Sequence, residues 1–179
     1  MRLHSLAAYC LLAPLCLAAA DTQWNLEQST LTYHGSHPLH QFDGVSHAAR
    51  GKGVCQSGQC DLLIAAQVKS FESGDSNRDL HMLQVTRGGQ FPMVTVRTRF
   101  PESALAGSTL RADLDIEFAG QTVHYSQLAF QLTRKGNQVE VAGTIPATMS
   151  EFKIEPPSLL TIAMKNEIPI KVDMTWRSQ

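Results

Sequence analysis

The sequence predicts an all-β fold: a closed antiparallel eight-stranded barrel with one or two short helices. Three observations carry that expectation. Apolar and polar residues alternate over long runs, glycine turns separate those runs, and the composition lacks the charge or repeats of another class. The 179 residues are 43% apolar and 17% charged, with 15 basic against 16 acidic side chains. Such a chain has enough apolar material to fold and too little charge for disorder, and its ordinary Gly and Pro content excludes a collagen repeat. Near-neutrality, with no block of five basic residues, argues against a nucleic-acid partner, because phosphate contacts need a Lys/Arg surplus on one face.

Residues 1–20 read as a Sec signal peptide, which sets the expected localisation as periplasmic. Arg2 supplies the positive start, Leu6 to Leu17 the apolar core, and Ala18-Ala19-Ala20 the small-residue cleavage site before Asp21. A membrane anchor needs about 20 apolar residues, and Pro14 interrupts a shorter stretch. Lipidation at Cys10 or Cys16 is disfavoured because neither follows a small residue. The remaining 21–179 form one domain, in which Cys55 and Cys60 are the two cysteines left. Five apart in an oxidising compartment, they are expected to form a disulfide across a hairpin turn, worth roughly 2 kcal/mol on the chain-entropy estimate.

The elements follow in order. Trp24-Asn25-Leu26, Leu31-Thr32-Tyr33 and Phe42 to His47 are strand-like, and Leu62, Ile64, Ala66 and Val68 alternate with polar neighbours. Ser76 to about Gln84 is helix-like, with Ser76 as N-cap and Asp79 completing a capping box. Val94, Val96, Thr98 and Phe100 oppose Arg97 and Arg99 on the next strand. From Ser108 to Phe118 the alternation is faultless, and burying Leu110, Leu114, Ile116 and Phe118 is worth on the order of 10 kcal/mol, enough to hold the register. Ala119-Gly120-Gln121 and Lys135-Gly136-Asn137 are hairpin turns, and a bulge near Ser126-Gln127 reconciles Val123 and Tyr125 with Leu128, Phe130 and Leu132. Val139 to Ile145 and Ile168 to Trp176 supply the last strands, and Ser158 to Lys165 is a second helix candidate. An outer-membrane barrel would also alternate, but with 7% aromatic residues and no aromatic girdle a water-facing barrel with its apolar side inward is preferred.

The central segment Ser70-Phe71-Glu72-Ser73-Gly74-Asp75-Ser76-Asn77-Arg78-Asp79-Leu80-His81-Met82, followed by Phe91-Pro92-Met93-Val94, resembles the signature of the YceI-like family of bacterial lipocalin-like proteins. Weaker matches at Trp24, Gly44, Gly120, Gly143 and Phe152-Lys153-Ile154 extend the resemblance over the whole of 21–179. It implies a periplasmic barrel that binds a polyisoprenoid chain, a quinone tail or an isoprenoid alcohol, in a long apolar pocket. The inward positions Phe71, Met82, Val94, Val96, Phe100, Leu114, Ile116, Phe118, Phe130 and Trp176 could line such a pocket, since a polyprenyl tail needs a dry tunnel with few polar groups. The same pattern would serve a solid core. Arg78 either meets a polar head group at the pocket mouth or holds a strand-end carbonyl.

The hairpin histidines His34, His37, His40 and His47 exceed what the family pattern requires. Imidazoles at this density suggest a Cu- or Zn-binding or stress-response module. His34 and His40 would share a strand face while His37 faces away, and Pro38 breaks the strand, so no metal site is assigned. No Gly-x-Ser-x-Gly, His-Glu-x-x-His or phosphate-binding loop occurs, and no enzyme activity or cofactor is expected. The leading expectation is a carrier or sequestering protein for an isoprenoid lipid or quinone, monomeric or homodimeric, with transient membrane association. An accessory protein of a respiratory membrane complex is the further alternative.

Overall fold

The computed structural model describes residues 21–159 and 161–179. The signal-peptide reading of residues 1–20 therefore lies outside the described residues. The strands are β1 (Thr22–His37), β2 (His40–Ser46), β3 (Arg50–Gln56) and β4 (Gln59–Gln67), then helix α1 (Ser76–Val85). After it come β5 (Met93–Pro101), β6 (Thr109–Phe118), β7 (Gln121–Lys135), β8 (Gln138–Ile145), the two-residue β9 (Ser158–Leu159) and β10 (Ile162–Ala163), and β11 (Ile170–Ser178).

Every pairing in the main sheet is antiparallel, and β1 closes it by pairing with β11. On its other flank β1 takes β3 along Thr22 to Asn25 and β2 along Leu31 to His37, so these two strands share one position of a closed eight-strand barrel. Trp24 and Tyr33 thus belong to one 16-residue strand, with a register shift between Leu26 and Gln28. The irregularity reverses the alternation there, which is why the chain reads as two short runs. The open edge of β2 is covered where Val45 and Glu72 exchange backbone hydrogen bonds of 2.9 Å.

Turn chemistry agrees with the strand count. Ser57 and Gly58 have φ of 52° and 78°, and Ala119 and Gly120 have 50° and 74°, the paired positive values of two-residue hairpin turns. The expected bulge lies at Ser126-Gln127: Ala112 pairs with Leu128 and Leu114 with Tyr125, leaving both residues opposite Asp113. Gln127 takes φ 54°, and the Asp113 carboxylate accepts its backbone N–H at 2.8 Å and its amide at 2.9 Å. These bonds hold the carboxyl of Asp113 below the ordinary Asp range. The bulge brings Tyr125 and Phe130 onto the same inner face.

Three expectations are corrected. The helix N-cap is Asp75, not Ser76; its carboxylate accepts the N–H groups of Asn77 and Arg78 at 2.9 and 3.2 Å. Asp79 makes no capping box, because its carboxylate is occupied by the N–H and hydroxyl of Ser73. Ser158 to Lys165 is no helix: Ser158–Leu159 and Ile162–Ala163 form a small hairpin, with Lys165 N–H bonded to the Ser36 carbonyl at 2.9 Å. Pro156-Pro157 holds the entry to this segment extended.

Candidate functional site

The barrel is hollow. A cavity of about 650 Å³ runs along its inside, within the range of small-molecule sites. Period-two alternation creates it: on β6, Leu110, Ala112, Leu114 and Ile116 are buried while their neighbours Arg111, Asp113, Asp115 and Glu117 are exposed. The outer wall is charged, with Arg97 opposite Asp115 and Arg99 opposite Asp113, which is the reverse of an outer-membrane barrel. No helix among the described residues is long and apolar enough to cross a membrane.

All of the sequence-predicted pocket residues line this cavity: Phe71, Arg78, Met82, Val94, Val96, Phe100, Leu114, Ile116, Phe118, Phe130 and Trp176. Trp24, Leu31 and Tyr33 line it as well, although the sequence reading did not place them there. Their signal was present as apolar residues two apart on either side of the Glu27 irregularity, but the shifted register masked it.

One end of the cavity is sealed. The Cys55–Cys60 disulfide joins directly paired residues of β3 and β4, both buried, and Phe100 pairs with Cys60. Phe130, Val139 and Trp176 close the same end from β7, β8 and β11. Gly51 makes room for Trp176, since a Cβ at that position would lie 2.5 Å from the indole ring.

The opposite end carries the polar groups. Helix α1 lies across it and presents Asn77, Arg78, His81, Met82 and Val85 to the cavity. The central motif holds the helix in place: Gly74 turns at φ 80°, Asp79 binds Ser73, and the Arg78 Nε donates to the Ser73 hydroxyl at 2.9 Å. The Arg78 guanidinium lies 4.6 Å from the Phe42 ring centroid and 3.9 Å from the Asp75 carboxylate. Arg78 therefore stands at the mouth with its donors partly engaged. Phe42 packs edge-on to Tyr33, which meets Phe71 at 5.9 Å, so an aromatic collar surrounds the opening. Burial, then the charge of Asp79, pushes the Tyr33 hydroxyl up to about 12, and it stays neutral at physiological pH.

The hairpin histidines disperse. Pro38-Leu39 break the strand and make the turn, so His37 and His40 face each other on β1 and β2 with rings 5.2 Å apart, whereas His37 was expected to face away from His40. His37 is buried: Nδ1 accepts the Leu39 N–H at 3.2 Å and Nε2 donates to the Ile162 carbonyl at 3.0 Å. His34 pairs with Asp43 on the outside, and His47 meets Thr30 and the Ser29 carbonyl. Among the described residues no group of three or more His, Cys, Asp or Glu is placed to hold a metal ion.

No protein-family model and no curated protein matches the sequence. Solved structures do match the fold. A polyisoprenoid-binding domain from Saccharophagus degradans, described as implicated in plant cell wall breakdown, superposes with a TM-score of 0.71 at 14% identity, over 87% of this chain and 98% of that one. BcnA of Burkholderia cenocepacia gives 0.70 at 13% identity, over 82% and 95%. A YceI protein of Campylobacter jejuni aligns at 0.46 and 14% identity, over 63% and 70%. Closed, antiparallel and hollow, the structure is a barrel of the lipocalin-like kind. It shares this fold with the polyisoprenoid-binding domain from Saccharophagus degradans and with BcnA.

Proposed function

We propose that this protein is a non-enzymatic periplasmic lipid-binding protein, exported by a Sec signal peptide, which carries or sequesters an isoprenoid chain, a quinone tail or a polyprenyl group, inside its barrel. The cavity carries this reading: about 650 Å³, apolar along its walls, sealed at one end and framed by polar groups at the other. Each methylene moved there from water gains about 0.8 kcal/mol, so a flexible hydrocarbon chain accumulates affinity along its length. The polyisoprenoid-binding domain from Saccharophagus degradans has the same fold, which supports the ligand class. Arg78 and Asp75 at the mouth are engaged with Ser73, Phe42 and the helix N-terminus, and serve to frame an opening.

Brief contact with a bilayer follows from the outside of that opening. Leu39 in the β1–β2 turn, Leu80 on the outer side of α1 and Ile162 in the β9–β10 hairpin are 60%, 57% and 40% exposed. They surround the entrance to a lipid-sized cavity, where an apolar rim suits extraction from and return to a membrane.

The deciding experiment is native mass spectrometry of protein purified from its source cell, with organic extraction of what it holds. An isoprenoid-bearing species is the expected result. Apo mass alone, with no extractable isoprenoid, would overturn the reading.

A further inference from the structure

The two halves of the barrel interior are filled differently. At the end away from α1, Trp24, Phe100, Leu110, Val139 and Trp176 each stand within two residues of a strand terminus, and all are buried. Nearer the mouth, Val94, Val96, Val141 and Met174 also face the cavity, yet each is only half-buried. The surface kept by a side chain that points inward opens into the cavity. The open space therefore stops one inward position above the strand ends: on β8 Val139 is buried and Val141 is not, and on β11 Trp176 is buried and Met174 is not.

Trp176 is the broadest plate of this floor. From β11 its indole reaches past Leu26, its direct partner on β1, to Gly51 of β3, where an added Cβ would lie 2.5 Å from the ring. Phe100 stands on β5 opposite Cys60, and the bond from Cys60 to Cys55 ties β4 to β3 at that level. Packed side chains of this kind resist the insertion of further methyl groups, whereas each methylene that enters empty apolar space gains affinity. A hydrocarbon chain of increasing length thus gains with every unit until the space above the floor is full, and the units beyond stay outside the mouth in water.

We propose that Trp176 and Phe100 decide how many isoprene units the barrel takes in, acting as the floor against which the chain stops. This rests on the lipid-binding reading above and adds to it the residues that select chain length.

The test uses all-trans prenyl alcohols of two to six isoprene units, with successive lengths competing in pairs for the protein and the bound species read by native mass spectrometry. For the wild type, the longer member of a pair should be preferred about tenfold or more up to one length, and the preference should fall to near one beyond it. Trp176→Leu and Phe100→Leu leave space below the present floor and should each move that break one unit longer. Val141→Phe, which adds a ring to the open part of the cavity, should move it one unit shorter, and it serves even if the floor variants do not fold. A wild-type preference with no break, or a break at the same length in every variant that keeps the far-ultraviolet β spectrum, overturns the floor as the selector. Failure of every prenyl alcohol to bind the wild type overturns the lipid reading itself.

Discussion

Tyr33 lies directly over Gly44 of the neighbouring strand, and a Cβ added there would come within 2.1 Å of the phenol ring. Gly44→Ala must therefore push Tyr33 out of the collar that it forms with Phe42 and Phe71, a destabilisation of about 1–3 kcal/mol measurable by urea unfolding. At the bulge, Asp113 acts through its charge. The carboxylate that accepts the Gln127 N–H is favoured in the folded state, so its folded pKa lies below the unfolded one. The stabilisation is fully present above the ordinary Asp value and is lost as pH falls through the depressed one. Asp113→Ala should lower Tm at pH 7, and thermal melts of the two proteins should converge as pH falls below the ordinary Asp value and through the depressed one.

At the scale of elements, the two ends of the barrel are held differently. The β3–β4 hairpin is pinned by Cys55–Cys60, a short loop whose closure is worth about 2 kcal/mol. A Cys55→Ala/Cys60→Ala variant should melt roughly 4–8 °C lower and keep its far-ultraviolet β spectrum. The β9–β10 hairpin depends on His37, which spans Leu39 and Ile162 with its two ring nitrogens. His37→Ala should speed amide exchange at Met164 and Lys165 about fivefold or more while exchange in β6 stays unchanged. The disulfide was legible because spacing and a glycine turn suffice to close a hairpin. The β9–β10 hairpin was not, because a segment this short is shaped by what it touches, Ser36 and His37, more than by its own residues. The helix start was misplaced by one residue for a related reason: Asp75 and Ser76 are both good caps, and the choice between them follows from Asp79 being drawn to Ser73.

For the whole molecule, a hollow barrel implies that ligand and fold stabilise one another. A lipid at a hundred times its Kd adds about 2.7 kcal/mol, which should raise Tm by roughly 5–10 °C over protein stripped with organic solvent. An isoprenoid that produces no shift at saturation is not a ligand of this cavity. Val94, Val96, Phe100, Leu114, Ile116, Phe118, Phe130 and Trp176 could be read from the chain because strand alternation has a period of two, so each local run declares its own inner face, whereas Phe71, Arg78 and Met82 lie outside the strands and were singled out by the central motif. The same rule concealed Trp24, Leu31 and Tyr33, since one irregularity at Glu27 reverses the parity.

Alternation, turn glycines and a paired cysteine were thus enough to establish a closed barrel with a dry interior, because these are interactions between residues close in sequence. Hollow or solid was another matter. The answer depends on how far apart the inner faces stand, which is set by strand number and stagger, through pairings such as that of Trp24 with Ser178 across the whole chain. The sealed end and the polar mouth exist only once that closure brings β1 beside β11, since no local pattern records which side chains will face one another across the cavity.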